Sequence, residues 1–504
     1  MRNIYIALAA IVLLFLGTRL AKISEIPPSL YWDEASIGYN AYSVLKTGKD
    51  EWGEALPLHF RAFGEFKLPV YIYSVGAAEV FLGLSETAVR LPAVIYSLGI
   101  LVLVYLIASH ISKKPWVGVL SAFILTISPW LFIFSRTGYE ATAGLMFFLL
   151  GLYLFLRSGK RKLFLLGGVV SWILSVYSYN SFRILVPLTG LFMTALFFKE
   201  VKRSLRGYWK IGLISFLLAA ASTLPIAKLY IKDTGGARFQ TVAADSLSGF
   251  ARNYISHFSP GFLITGGDTN PRSQQPGFGE LYLLDIPLVF LGLLYFLKRK
   301  GKINWLLLFI LLASPVPAAI TRESPHALRA ITMAPIIAII SSLGMFYLGD
   351  IVPRYRNYIF LVTVVLYLGF FESYAQAFFE TYPEKTSQDW QYGYQKLFSD
   401  YAEEIARADK VIISDEYAQP YIFAAFYSKY DPASFQEKAV RNSPDKWGAS
   451  SVSSFDKFVF KKTEEKDLAP GTLVFATQKD KLSLEPISEI RFLDGSGAFW
   501  VYKR

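Results

Sequence analysis

The residues most able to do chemistry begin at Tyr31-Trp32-Asp33-Glu34, two adjacent carboxylates that follow an apolar run and Pro27-Pro28. Neighbours on a helix do not face the same way. One of the two acids is therefore expected to face a site and the other solvent or a cation. The competing reading is a hydrated loop with acids at a helix start. A second acid, Glu140, closes Ser135-Arg136-Thr137-Gly138-Tyr139-Glu140, where it either assists chemistry or stabilises a helix N-terminus through the dipole. Arg183 ends Tyr177-x-Tyr179-Asn180-x-x-Arg183, and such an Arg can also simply snorkel. In Arg322-Glu323-Ser324-Pro325-His326-Ala327-Leu328-Arg329, His326 and Arg329 are one helical turn apart. A His beside two guanidinium groups suits a phosphate, and a capped, solvated loop is the alternative.

The elements that must position these groups belong to a membrane protein. Of 504 residues, 53% are hydrophobic and only 18% charged, too little charge to wet a soluble surface of this size. Long apolar stretches predict about eleven spans, near 4–20, 91–108, 116–134, 141–156, 163–179, 184–198, 211–230, 281–297, 303–320, 328–348 and 357–376. The net charge of +12 does not indicate nucleic acid. Six short segments (Arg2, 113–114, 157–162, 199–210, 298–302 and 354–356) hold 18 Lys or Arg against two nearby acids, Glu200 and Asp350, which leaves the rest of the chain negative. This is positive-inside patterning, and it predicts a cytoplasmic N-terminus and an extracytoplasmic C-terminus. With no cysteine, thiolate nucleophiles, disulfides and Cys-ligated metals are excluded. The run Ile4–Leu16 is read as a retained first helix rather than a removed signal peptide.

Two outer loops are long, 21–90 and 231–280, and loops of that length usually carry function. In the first, Ile37, Ala41, Val44 and Leu45 recur at helical spacing before Gly48, as an amphipathic helix with a C-terminal cap would. A second helix is predicted over Leu68–Gly83, opened by Pro69. It is short for a span and contains Glu79, and crossing would put every later basic cluster outside, so it is placed in the interface or half-buried against the bundle, while the first helix lies on the membrane. From about Thr381 polar residues return, and strand-like runs appear at 410–414, 457–461, 472–477 and 498–502. The expected organisation is a membrane domain over 1–376 and a soluble extracytoplasmic α/β domain over 377–504.

On this topology, acids and cations from several loops share the outer face. Sugar transfer from a polyprenyl phosphate would use such a set. The leaving group is already a phosphate and needs cations or a metal. The acceptor hydroxyl is a poor nucleophile, and a carboxylate base helps it.

The first outer loop resembles the GT-C superfamily of membrane glycosyltransferases, closest to the protein O-mannosyltransferase and lipid A aminoarabinose transferase families. Trp32-Asp33-Glu34, Lys67-Leu68-Pro69-Val70-Tyr71, Gly83-Leu84-Ser85-Glu86 and Ala88-Val89-Arg90-Leu91-Pro92 carry the resemblance, which covers roughly the first 230 residues. It implies an all-α polytopic GT-C fold. It also implies that Asp33 activates the acceptor or holds a divalent cation (Mg, Mn or Zn), that Glu140 assists where relatives often have Asp, and that Lys67 contacts the donor phosphate, although Leu68 separates it from Pro69. Pro325-His326-Ala327-Leu328-Arg329 resembles a signature of uncharacterised bacterial relatives. Arg183, His326 and Arg329 are assigned to the donor phosphate from chemistry and topology.

The expected protein is thus an inverting glycosyltransferase of the cell membrane. Its catalytic set is Asp33, Glu34 and Glu140, its donor a polyprenyl-phosphate sugar, and its acceptor a protein, lipid or glycan. The alternatives are a lipid-linked sugar flippase or transporter, and a glycan ligase or hydrolase on the same fold. A transporter would place ionisable groups near the midplane between related halves, and no internal repeat is present.

Overall fold

The computed structural model describes residues 2–159, 161–232, 245–443, 451–480 and 482–503. In chain order its first elements are α1 (Arg2–Leu20), α2 (Trp32–Thr47), β1 (Phe60–Ala62), β2 (Glu65–Lys67), α3 (Pro69–Leu82) and α4 (Glu86–Ser112). Next come α5 (Pro115–Ile127), α6 (Pro129–Phe134), α7 (Ala141–Arg157), α8 (Leu163–Val176), α9 (Phe182–Leu196), α10 (Phe198–Gly207) and α11 (Trp209–Lys232). Apolar helices continue at Asp285–Lys298, Lys302–Ala313, Met333–Ile351 and Arg356–Glu380. Among the described residues, six helical stretches are long and apolar enough to cross a membrane: Arg2–Leu20, Glu86–Ser112, Trp209–Ile231, Lys302–Ala319, Met333–Ile351 and Pro353–Glu380. Five shorter apolar helices lie at Pro69–Leu82, Pro115–Ile127, Ala141–Arg157, Leu163–Val176 and Phe182–Leu196.

The segment read as one span over 116–134 is two helices. Ser128 is extended (φ −61°, ψ 127°) and Pro129 opens α6. The cause is local: a proline disfavours the helical conformation of the residue before it and offers no N–H to the preceding turn.

Two compact units emerge, one from the described residues of 1–21, 93–233 and 242–377, the other from those of 22–92 and 378–504. In the first, small residues set the packing. A Cβ on Gly344 would lie 2.0 Å from the Leu288 carbonyl oxygen, and one on Gly292 would lie 2.2 Å from that of Ile340. The Asp285–Lys298 and Met333–Ile351 helices therefore meet backbone to backbone, a contact open only to the smallest residues.

In the second unit, α2 begins at Trp32, earlier than the apolar spacing from Ile37 indicated, and ends on Gly48, whose φ of 72° is the left-handed cap that glycine adopts without strain. Pro69 occupies the first turn of α3. The described C-terminal residues form a seven-stranded mixed sheet whose strands lie in the order β4 (Val440–Arg441), β5 (Val452–Phe455), β6 (Phe458–Phe460), β3 (Lys410–Ile413), β7 (Thr472–Ala476), β9 (Gly497–Lys503) and β8 (Ser488–Arg491). Central β3 runs parallel to both β6 and β7, and the outer pairs are antiparallel. Ile412, Val474, Ala476 and Tyr502 form its core with Leu468. The mostly helical chain with apolar helices and a C-terminal sheet is the fold class the sequence implies.

Candidate active site

Asp33 and Glu34 are the second and third residues of α2, and the helix turns them to different partners. Glu34 is fully buried against fully buried Arg90. Nε of Arg90 donates to Glu34 Oε1 (3.2 Å) and Nη2 to Oε2 (3.3 Å). The other guanidinium protons go to the carbonyls of Ile23, Pro27 and Ser29 (2.9, 2.9 and 2.5 Å). Glu34 also accepts the Tyr31 N–H at 3.3 Å, the reach of a third-position acid back to the helix start. One ion pair thus ties α2 to the chain that leads into it. With no exposure, Glu34 is a buried anchor.

Asp33 stays one-fifth exposed, and its Oδ1 accepts from Lys67 Nζ at 2.5 Å. Lys67 is delivered by a β-hairpin. β1 and β2 pair antiparallel with Phe60 opposite Lys67, and Phe63 and Gly64 both have positive φ (52° and 83°), as a two-residue hairpin turn requires. Glu65 Oε1 lies 3.5 Å from the same Nζ. Trp32 is half-buried beside Asp33, its ring tilted on Tyr31 at 4.5 Å and edge-on to Phe63 at 6.5 Å. The structure therefore brings Asp33 and Lys67 together.

The other predicted residues lie in the first unit. Glu140 directly precedes α7, is largely buried, and its carbonyl accepts the Gly144 N–H at 3.2 Å. Arg183 is the second residue of α9. Arg329 donates to Thr321 Oγ1 at 2.6 Å and to Glu323 Oε2 at 3.4 Å, whereas Arg322 pairs with Asp245 at 2.6 Å.

His326 belongs to a different group. Its backbone N–H donates to Nε2 of His257 (3.1 Å), and its ring Nδ1 lies 3.4 Å from Asp268 Oδ2. Asp268 accepts the Ala327 N–H at 2.7 Å and gives its own N–H to Glu280 Oε1 at 3.2 Å. Burial pushes the His326 imidazole well below its usual range, helped by Arg329 and His257. Burial likewise pushes His257 down to about 4 against its backbone hydrogen bonds. It raises Asp268, and it raises Glu280 strongly, with Asp268 adding to the effect. His326 is therefore a neutral ring here rather than the cation a phosphate cradle would use.

Sequence reading gave no role to Arg90, which it met only inside a resemblance string, nor to Asp268, Glu280 or His257. The length of the 231–280 loop was the one signal for the last three. Among the described residues no group of three or more His, Asp or Glu is gathered as a metal would need. Around Asp33 the donors are two carboxylates with an ammonium between them, a set that does not fit a cation.

The fold has likenesses among solved structures of membrane enzymes. The chain is similar to ArnT from Cupriavidus metallidurans bound to undecaprenyl phosphate, at 12% identity and a TM-score of 0.55 over 99% of this chain and 97% of that one. It is also similar to the oligosaccharyltransferase AglB from Archaeoglobus fulgidus in complex with an inhibitory peptide and a dolichol-phosphate, at 14% identity and a TM-score of 0.50. A second structure of that archaeal enzyme, with Zn and sulfate, gives 13% and 0.52. The two archaeal likenesses cover 84% of this chain but only 63% and 61% of the longer ones. No protein-family model matches the sequence. No curated protein matches it either. At these identities the likeness is one of fold, and a fold by itself does not carry an activity.

Proposed function

We propose that the protein transfers a sugar from a polyprenyl-phosphate-linked donor to an acceptor hydroxyl at the extracytoplasmic face of the cell membrane, with inversion at the sugar carbon. The observation that carries this reading is the half-open Asp33–Lys67 pair at the start of α2. Lys67 holds Oδ1, and Oδ2 is left to accept the proton of an incoming hydroxyl. As that proton moves to Asp33, the acceptor oxygen forms its bond to the sugar carbon. The bond from that carbon to the phosphate oxygen breaks on the opposite face, and the polyprenyl phosphate departs with the electron pair. A positioned carboxylate base contributes about 10²–10⁴-fold to such a step. Lys67 is the cation nearest the reacting acid and serves the departing phosphate. Glu34 acts through Arg90, holding the helix. Glu140, Arg183 and Arg329 keep their assigned roles as an assisting acid and two donor-phosphate contacts, each to be read by its own variant.

Two of the similar structures support the substrate class, since one holds undecaprenyl phosphate and another a dolichol-phosphate with a peptide. The second also favours a variant of this reading in which the group moved is a preassembled glycan. The test is purified protein offered a panel of polyprenyl-phosphate sugars, with divalent cation and with chelator. Asp33→Asn should lower transfer by about 10²–10⁴-fold. Undiminished transfer by that variant sinks the assignment, and the mass of the product separates single-sugar from glycan transfer.

A further inference from the structure

Two elements of the second unit carry the reacting pair: α2 holds Asp33 and the β1–β2 hairpin holds Lys67. Both are gripped by residues more than 300 positions further along the chain. The first N–H groups of a helix have no partner within it. That of Trp32, next to Asp33, donates to Gln391 Oε1 at 3.1 Å. Gln391 Nε2 in turn donates to the Ala418 carbonyl at 3.1 Å. Gln391 is buried and its backbone is left-handed, with φ 53°, a conformation few non-glycine residues adopt. Such a backbone persists when its surroundings over-determine it, so the direction of this side chain is set by the C-terminal segment.

The hairpin is reached from the same segment. Phe63 at its turn stacks edge-on against Tyr421 at 6.0 Å as well as against Trp32. Further along α2 the grip continues. A Cβ on Gly38 would lie 2.6 Å from Phe426 Cε2, Tyr39 donates to the Tyr430 carbonyl at 3.1 Å, and Gln436 donates to Ser43, Thr47 and the Asp50 carbonyl.

We propose that Gln391 is a positioning residue for the transfer step. It caps the first turn of α2 from outside and so fixes where the Asp33 carboxylate points when the acceptor hydroxyl arrives. The proposal rests on Asp33 being the base. Small misplacements of a reacting group cost large factors in rate, about 10²-fold for an ångström, while leaving ground-state binding nearly intact. The C-terminal residues then serve catalysis by orienting the reacting acid.

Three substitutions test this in the full-length enzyme, beside Asp33→Asn. Gln391→Leu removes both hydrogen bonds at similar volume. Gln391→Asn keeps the amide but falls short of Trp32. Gln391→Glu keeps the acceptor for the Trp32 N–H. Leu and Asn should lower kcat by about 10-fold with both KM values within about twofold, and Glu should restore most of the rate. If Leu fails to fold, Asn against Glu carries the same contrast. Equal rates in all three, or equal losses in Asn and Glu, would overturn the proposal provided Asp33→Asn is inactive. An active Asp33→Asn overturns the underlying reading instead, so the two failures are told apart.

Discussion

The first turn of α2 and the loops around Asp268 both bury acids, yet they treat charge in opposite ways. At α2, Glu34 is bonded to Arg90 and Asp33 to Lys67, so each acid has its own cation within hydrogen-bond reach. Around Asp268 the acids lean mainly on backbone N–H groups. There burial raises Asp268 and Glu280 and depresses His257 and His326. One region keeps its acids in pairs with cations, and in the other burial works against charge on acid and imidazole alike. The proposed base lies in the first, with its partner charge beside it. The second is suited to holding a loop in shape through backbone hydrogen bonds.

The strongest way to break this contrast is to remove a partner at α2. Lys67→Met leaves Asp33 without its cation, and under the proposed function transfer should fall by about 10²-fold through loss of a phosphate contact, read as kcat/KM with the donor varied. Arg90→Met removes five donors at once and leaves Glu34 buried and unpaired, a defect that costs about 3–5 kcal/mol. The unfolding midpoint in detergent should drop accordingly, and adding Glu34→Gln should recover part of the loss because the stranded charge is gone. If Arg90→Met is no less stable than the parent, the pair is not the anchor described.

Much of this was legible in the sequence, and what was missed has a physical reason. Ile37, Ala41, Val44 and Leu45 announced α2 because their helical spacing and Gly48 agree, while the acids that open it were read as a helix start only in the competing reading. The runs at 410–414, 457–461, 472–477 and 498–502 lie on β3, β6, β7 and β9. β4 has two residues and β8 carries Ser488, Glu489 and Arg491 around a single buried Ile490, so short or polar edge strands left no pattern to read. Arg90 was hidden because it sits inside an apolar helical stretch, where sequence cannot distinguish a snorkelling Arg from one that binds three distant carbonyls. Gln391 gave no signal at all: its role depends on contacts across 359 positions. The neutrality of His326 was likewise invisible, since it depends on burial by loops far apart in the chain.

The absence of cysteine allows the expected sidedness to be examined directly. Ser399 and Lys199 are both exposed. In intact cells Ser399→Cys should react with an impermeant maleimide and Lys199→Cys only after lysis. The reverse pattern inverts the proposed topology.

The far end of α2 offers a smaller test of the same contrast, because there a buried acid lacks an adequate cation. Glu51 is enclosed by Asn40, Tyr421, Asp50 and Arg441, and burial pushes it up to about 7 from 4.5 despite the Asn40 hydrogen bond. Its folded value exceeds its unfolded one, so folding takes up a proton. Stability is full below about 4.5, declines as pH rises towards 7, and is flat above. Glu51→Gln should flatten the unfolding midpoint across that window.

The smallest expected effect belongs to His326. A depressed imidazole stays neutral well below its ordinary range, so the donor KM should show no step over about pH 5–8, the window in which an ordinary histidine charges. His326→Gln should then raise the donor KM by no more than a few-fold, the size of one neutral hydrogen bond. Arg329→Gln, which removes a permanent charge, should raise it by about 10-fold or more. A step near the ordinary imidazole value that disappears in His326→Gln would show that the ring does charge on the donor. The Asp268 region would then be a second place where charge is held, and the contrast with α2 would fail.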